Sequence, residues 1–192
     1  MRALIACLLG LAVLIGGCDK QSASGGQAAD SANTPSPDEV TAANPVPVAG
    51  AIDRSHKGEA APDASFLDPA GKPVTLAAFR GQPVLVNLWA TWCGPCVKEM
   101  PTLDTLAGSG VVRVVAVSQD LGGAASVSPF FKAHGFTTLK PYLDPKLGLS
   151  TALGANLPTT ILYDAQGREV WRETGGYDWS GAAAKRLIAE AG

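Results

Sequence analysis

Two cysteines three residues apart, Cys93 and Cys96, stand where a near-continuous apolar run meets a helix-forming stretch. The run is Val84 to Trp92 and the stretch is Val97 to Ala107. An apolar run of this length is the pattern of a buried central strand. A chain that leaves such a strand and enters a helix within four residues places Cys93-Gly94-Pro95-Cys96 on the first helical turn. Thiols spaced i, i+3 across that turn lie close enough to form a disulfide. The partial positive charge of the helix N-terminus favours a thiolate on the first of them. These are the requirements of a reversible dithiol/disulfide couple.

The rest of the chain reads around that junction. Ser65 to Leu76 is expected as a hairpin with its turn at Asp68-Pro69-Ala70-Gly71. Pro83 to Trp89 is a strand, and a helix runs from Pro95 to Ala107 with Gly108 as its stop. Val111 to Val117 is a second buried strand, so these three elements form a βαβ unit. Ser128 is expected to cap a second helix that has Pro129 in its first turn and ends at Gly135. Tyr142-Leu143 is a short extended piece, and Asp144-Pro145 opens a third helix that stops at Gly154. Pro158 to Tyr163 and Arg168 to Glu173 are strands joined by the turn Asp164 to Gly167. Ser180 is expected to cap the last helix, which ends near Ala191. This order gives an α/β fold with a mixed central sheet flanked by helices.

The string Val86-Asn87-Leu88-Trp89-Ala90-Thr91-Trp92-Cys93-Gly94-Pro95-Cys96 resembles the thioredoxin superfamily. The continuation Val97-Lys98-Glu99-Met100-Pro101 is similar to its extracytoplasmic TlpA/ResA branch. The resemblance covers Ala60 to Gly192. It implies a thioredoxin-like fold with an N-terminal β-hairpin and a helix inserted between Asp120 and Pro141.

The N-terminus has another character. Arg2 precedes an apolar stretch from Ala3 to Ile15, too short to span a bilayer comfortably but suited to a signal peptide. Leu14-Ile15-Gly16-Gly17-Cys18 resembles a bacterial lipobox, with Gly16 where Ala or Ser is commoner. The resemblance implies a signal peptide over 1–17 and lipidation of Cys18. An ordinary secretory signal and an uncleaved anchor are the alternatives. Asp19 resembles the signal for retention in the inner membrane, which implies a lipid-anchored protein on its periplasmic side. From Asp19 to Gly58 the chain is rich in Ala, Ser, Gly, Gln, Asn and Pro and has no aromatic residue. Such a segment buries too little apolar surface to offset its ordering entropy, and is expected to be a disordered linker over 18–58. Its r.m.s. reach is roughly 35 Å. The folded domain is then 59–192.

Composition bounds the chemistry. With 15 Lys and Arg against 17 Asp and Glu, and no basic run, a nucleic-acid partner is not expected. The chain is expected to act as a monomer. Cys7 leaves with the signal peptide and Cys18 carries lipid, so Cys93 and Cys96 are the remaining thiols. A bridge that closes so small a loop staples almost nothing, so a catalytic pair is the better reading. A zinc site needs four ligands, and beyond the two thiols the sequence offers His56 and His134. No metal and no cofactor is expected.

The roles follow in order. Cys93 is the nucleophile and Cys96 the resolving thiol. Pro95 has no N–H to offer the sulfur, and the Gly94-Pro95 pair is shared with thioredoxin, a reductant. Asn87 stands where cytosolic thioredoxins carry a buried Asp, and an amide cannot titrate. Glu99 lies one turn after Cys96, and the ResA resemblance implies that it tunes the cysteines and handles protons; a solvent-exposed helix Glu is the alternative. Trp92 is expected to shield the thiols and offer an apolar contact surface, with Trp89 in the core. Pro101 is expected inside the active-site helix. Leu157-Pro158-Thr159 resembles the superfamily's cis-proline loop, where the Leu157 backbone would pair with an extended substrate.

The expected function is a membrane-tethered disulfide reductase acting on exported proteins. Family analogy suggests an apocytochrome c or a copper-insertion protein as substrate. Electrons would come from a transmembrane donor of the DsbD/CcdA type. The rivals are a disulfide-forming oxidase and a non-enzymatic copper-binding or delivery module.

Overall fold

The computed structural model describes residues 51–192. The expectations for the signal peptide, for Cys18 and Asp19 and for most of the linker lie outside the described residues. Among the described residues, seven strands form one sheet in the order β2-β1-β5-β4-β3-β6-β7. They are β1 (Phe66–Leu67), β2 (Pro73–Val74), β3 (Val84–Trp89), β4 (Arg113–Ser118), β5 (Tyr142–Leu143), β6 (Thr159–Tyr163) and β7 (Glu169–Thr174). The helices are α1 (Gly94–Ser109), α2 (Ala124–His134), α3 (Gly148–Leu153) and α4 (Ala182–Ile188). β3 pairs in parallel with β4 and antiparallel with β6, so the sheet is mixed and its fold thioredoxin-like.

β3 explains why the sheet has two cores. All six of its residues are buried. Alternate side chains of a strand face opposite sides of the sheet. Leu85 and Trp89 therefore join α1, α2 and α4 in one cluster, with Met100, Leu103, Val127 and Ile188. Val84, Val86 and Leu88 join the other, with Phe66, Phe79 and Leu149 of α3. A strand apolar on both faces can only be central, which fixes the place where the chain must turn into α1.

The structure corrects several boundaries. Residues before 59 were expected in the linker, yet the segment from Asp53 is docked along β7. Asp53 and Arg172 exchange backbone hydrogen bonds at 2.8 and 2.9 Å, and Gly58 N–H donates to the Glu169 carbonyl at 2.7 Å. β7 is an edge strand, and its outer N–H and C=O groups need partners that composition does not reveal. α2 begins at Ala124 rather than at Ser128, and Pro129 lies inside it. The lost backbone bond is accepted because the extra turn buries Val127 completely. Ser180 is not a cap: α4 starts after Gly181, and Ser180 bonds the Asp178 carboxylate instead. α1 passes Gly108 and closes at Gly110, whose φ of 69° suits glycine. Asp144 does cap α3, but from further back, accepting from Gly148 and Leu149 N–H at 3.0 and 2.8 Å.

Candidate active site

The sheet positions the site. β3 ends at Trp89, and the chain then crosses Thr91 and Trp92 to enter α1. Asp120, just beyond β4, holds this crossing: it accepts from Thr91 N–H at 3.0 Å, Thr91 Oγ1 at 2.6 Å and Ser118 Oγ at 2.7 Å. Sequence reasoning had assigned Asp120 no role. It is the short polar residue at the end of the strand next to β3, where a loop-holding carboxylate is useful.

Cys93 is the N-cap of α1 and is bonded to Cys96 by a disulfide, with the two Cα atoms 5.2 Å apart. The Cys96 N–H also points at Cys93 Sγ, at 3.4 Å. Cys93 retains 6% of its surface and Cys96 none. Of the two cysteines, only Cys93 keeps any contact with solvent. Gly94 and Pro95 occupy the first two helical positions and are exposed.

The Leu157–Pro158 bond is cis, at the position the sequence indicated. β6 starts at Thr159, which pairs with Leu88, so Pro158 sits across from the end of β3 and the cysteine turn that follows it. Trp92 is 72% exposed and shares with Leu157 a cavity of about 620 Å³. It flanks the disulfide with an open apolar surface. Trp89 is fully buried against Phe130, at 5.1 Å between ring centres.

Glu99 is fully buried, not the exposed helix residue that was its alternative reading. Asn87 Nδ2 donates to its Oε1 at 2.8 Å and to Thr160 Oγ1 at 2.9 Å. Tyr177 N–H and Trp179 Nε1 donate to its Oε2 at 3.0 and 3.3 Å. Burial drives the proton affinity of the carboxyl up, and these three donors offset only part of that, so its pKa rises from 4.5 to about 7. A carboxyl poised there can hold or release a proton near neutral pH.

The loop after β7 was not anticipated. Gly175 N–H donates to the Pro158 carbonyl at 3.0 Å, Gly176 lies against Pro95, and Tyr177 reaches Glu99. One short segment thus touches the cis-proline, the cysteine turn and the buried acid. Its φ of 121° at Gly175 is open to glycine and hardly to other residues. The available signal was the pair Gly175-Gly176 followed by two aromatics, Tyr177 and Trp179.

A mixed sheet that delivers a cystine to the head of a helix, opposite a cis-proline, places the molecule in the thioredoxin-like class of redox proteins. The Redoxin family model matches residues 56–187, and the chain belongs to that family. It is a thiol-disulfide oxidoreductase of the ResA/DsbE type, with Cys93–Cys96 as its pair. The thiol:disulfide interchange protein DsbE of Pseudomonas aeruginosa is 36% identical over 127 residues, 57% of this chain and 66% of its own length. The thiol-disulfide oxidoreductase ResA of Halalkalibacterium halodurans is 33% identical over 123 residues, 62% of this chain and 69% of its own. The matches thus span about two thirds of these relatives. A crystal structure assigned to a DsbE-type thiol:disulfide interchange protein of Chlorobium tepidum superposes with a TM-score of 0.61 at 28% identity. It covers 71% of this chain and 98% of that one.

The raised affinity of Glu99 has a measurable consequence. The folded protein holds this proton more tightly than the unfolded chain does. The resulting stabilisation is complete below about pH 4.5 and lost as pH rises through about 7. Between pH 5 and 8 the oxidised protein should lose up to roughly 3 kcal/mol of stability through this group, whereas Glu99→Gln should lack that slope. Urea unfolding at a series of pH values measures both; parallel slopes would contradict the assignment.

Proposed function

We propose that this chain is a membrane-tethered, extracytoplasmic disulfide reductase in which Glu99 manages the proton of the resolving thiol. The observation that carries the reading is the buried Glu99, one turn beyond Cys96 and poised near neutrality. The Cys93 thiolate attacks a disulfide of another exported protein. A mixed disulfide forms and one substrate thiolate leaves. Cys96 gives its proton to Glu99 and attacks Cys93 Sγ, which releases the second substrate thiolate and closes the Cys93–Cys96 bond. Two electrons pass to the substrate. Its two sulfurs take up one proton by way of Glu99 and one from solvent.

The reducing direction is supported by Pro95, which sits at the second position of α1 with no N–H to lend to the Cys93 thiolate. A weakly stabilised thiolate makes the dithiol the better electron donor. Location is supported by the apolar stretch Ala3 to Ile15 and the Gly16-Gly17-Cys18 junction after it. Lipid on Cys18 would hold the domain at the periplasmic face of the inner membrane. Reducing equivalents would then come from a transmembrane dithiol donor of the DsbD/CcdA type. The polypeptide substrate, an apocytochrome c or a copper-site protein by analogy, would dock across Trp92, Gly94, Pro95 and the Leu157-Pro158 loop.

Replacing Cys96 by Ala stops the second attack. Membranes expressing Cys96→Ala should therefore accumulate mixed disulfides on Cys93 with exported proteins, read by diagonal non-reducing/reducing electrophoresis. A folded, correctly exported variant that traps nothing would overturn the reading. In the reduced protein, alkylation rate against pH should show an inflection near 7 that disappears in Glu99→Gln. An unchanged profile would remove Glu99 from the proton step.

A further inference from the structure

The cavity beside Trp92 holds a side chain that the exchange chemistry does not use. Gln119 ends the turn out of β4, and only 3% of its surface is exposed. Among the described residues, neither Oε1 nor Nε2 of its amide has a hydrogen-bonding partner. A buried amide left so is costly, and a protein retains one where something else completes it. Gln119 lines the cavity of about 620 Å³ that lies between Trp92 and Leu157. Its backbone is pinned by a 2.7 Å bond from Gln119 N–H to the Trp89 carbonyl, so the amide is carried on a rigid strand end.

The surroundings narrow what can enter. Among the described residues, every side chain lining the cavity is neutral. Its mouth is flanked by Trp92 and Leu121, exposed by 72% and 74%, an apolar rim suited to an extended polypeptide. Leu147 on its wall has a φ of 56°, an uncommon conformation for a bulky residue. A charged side chain entering here would lose its water and find no counter-charge. A purely apolar one would leave both ends of the Gln119 amide without a partner.

We propose that Gln119 is a specificity-determining residue of this oxidoreductase, and that the cavity receives a carboxamide side chain, Asn or Gln, adjoining the target cysteine of the substrate polypeptide. A carboxamide offers one acceptor and two donors, and so can answer both ends of the Gln119 amide with a reciprocal pair of N–H···O bonds. Sites built to hydrogen-bond a substrate group reject analogues that lack it more strongly than apolar pockets reject a size mismatch. The inference rests on the reductase reading above and adds to it the sequence context of the disulfide.

The test uses the pre-reduced protein and disulfide-linked peptide dimers of the form Ala-X-Cys-X-Ala, with X as Gln, Leu, Glu or Lys. Single-turnover rates are each divided by the rate with dithiothreitol in the same buffer, which removes the effect of X on the thiol itself. The Gln peptide should react roughly tenfold faster than the Leu peptide, the worth of about one net hydrogen bond, and faster still than the charged ones. Gln119→Leu should abolish the advantage of Gln over Leu, and Gln119→Glu should move the preference to Lys. A merely structural role for Gln119 would not produce that change of preference. Equal normalised rates for Gln and Leu in the unaltered protein would overturn the assignment of Gln119 while leaving the reductase intact. Failure to reduce any of the four peptides would overturn the reductase reading and this inference with it.

Discussion

A carboxyl group with no exposed surface joins three separate elements of this molecule. Glu99 comes from the helix that carries the cystine, Asn87 from the central strand, and Tyr177 and Trp179 from the loop after the last strand. An acid in such a place is tolerated only with its acceptors filled, so each of these donors is held where it is by the need to satisfy it. The loop that supplies Tyr177 also braces the cis-proline and lies against Pro95. The geometry of the redox pair and the protonation of Glu99 are therefore parts of one arrangement.

Asn87 has a place in that arrangement. An amide at Asn87 cannot hold a proton, but it donates to Glu99 and to Thr160 together, and so links the acid to the sheet. The buried carboxyl belongs to the helix, not to the strand. There it sits on the same element as Cys96, one turn away and equally buried. Cys93 keeps a small exposed surface and is followed in the chain by the exposed Gly94 and Pro95, whereas Cys96 and Glu99 are closed off from solvent.

Much of the frame was legible because it rests on short-range signals. A run apolar but for Asn87 had to be central, the cysteine spacing had to sit on a helix head, and the resemblance of Leu157-Pro158-Thr159 to a cis-proline loop marked the cis bond. What escaped was set by tertiary pairing. The segment from Asp53 reads as polar linker, yet the open edge of β7 captures it. The start of α2 obeys the burial of Val127 rather than the helix-start chemistry of Ser128-Pro129. Within the site, Cys93, Cys96, Trp92 and Pro158 could be picked out from local pattern. The distant partners of Glu99 could not, since nothing local says that the loop carrying Tyr177, 78 residues along the chain, folds back onto it.

The reduction potential of the Cys93–Cys96 couple tests the central claim most directly. Equilibration of the purified protein with defined dithiothreitol or glutathione redox buffers at pH 7, read by thiol alkylation, yields it. A disulfide reductase requires a value on the thioredoxin side, on the order of −270 mV. A value near about −120 mV, the range of strong disulfide donors, would contradict the account.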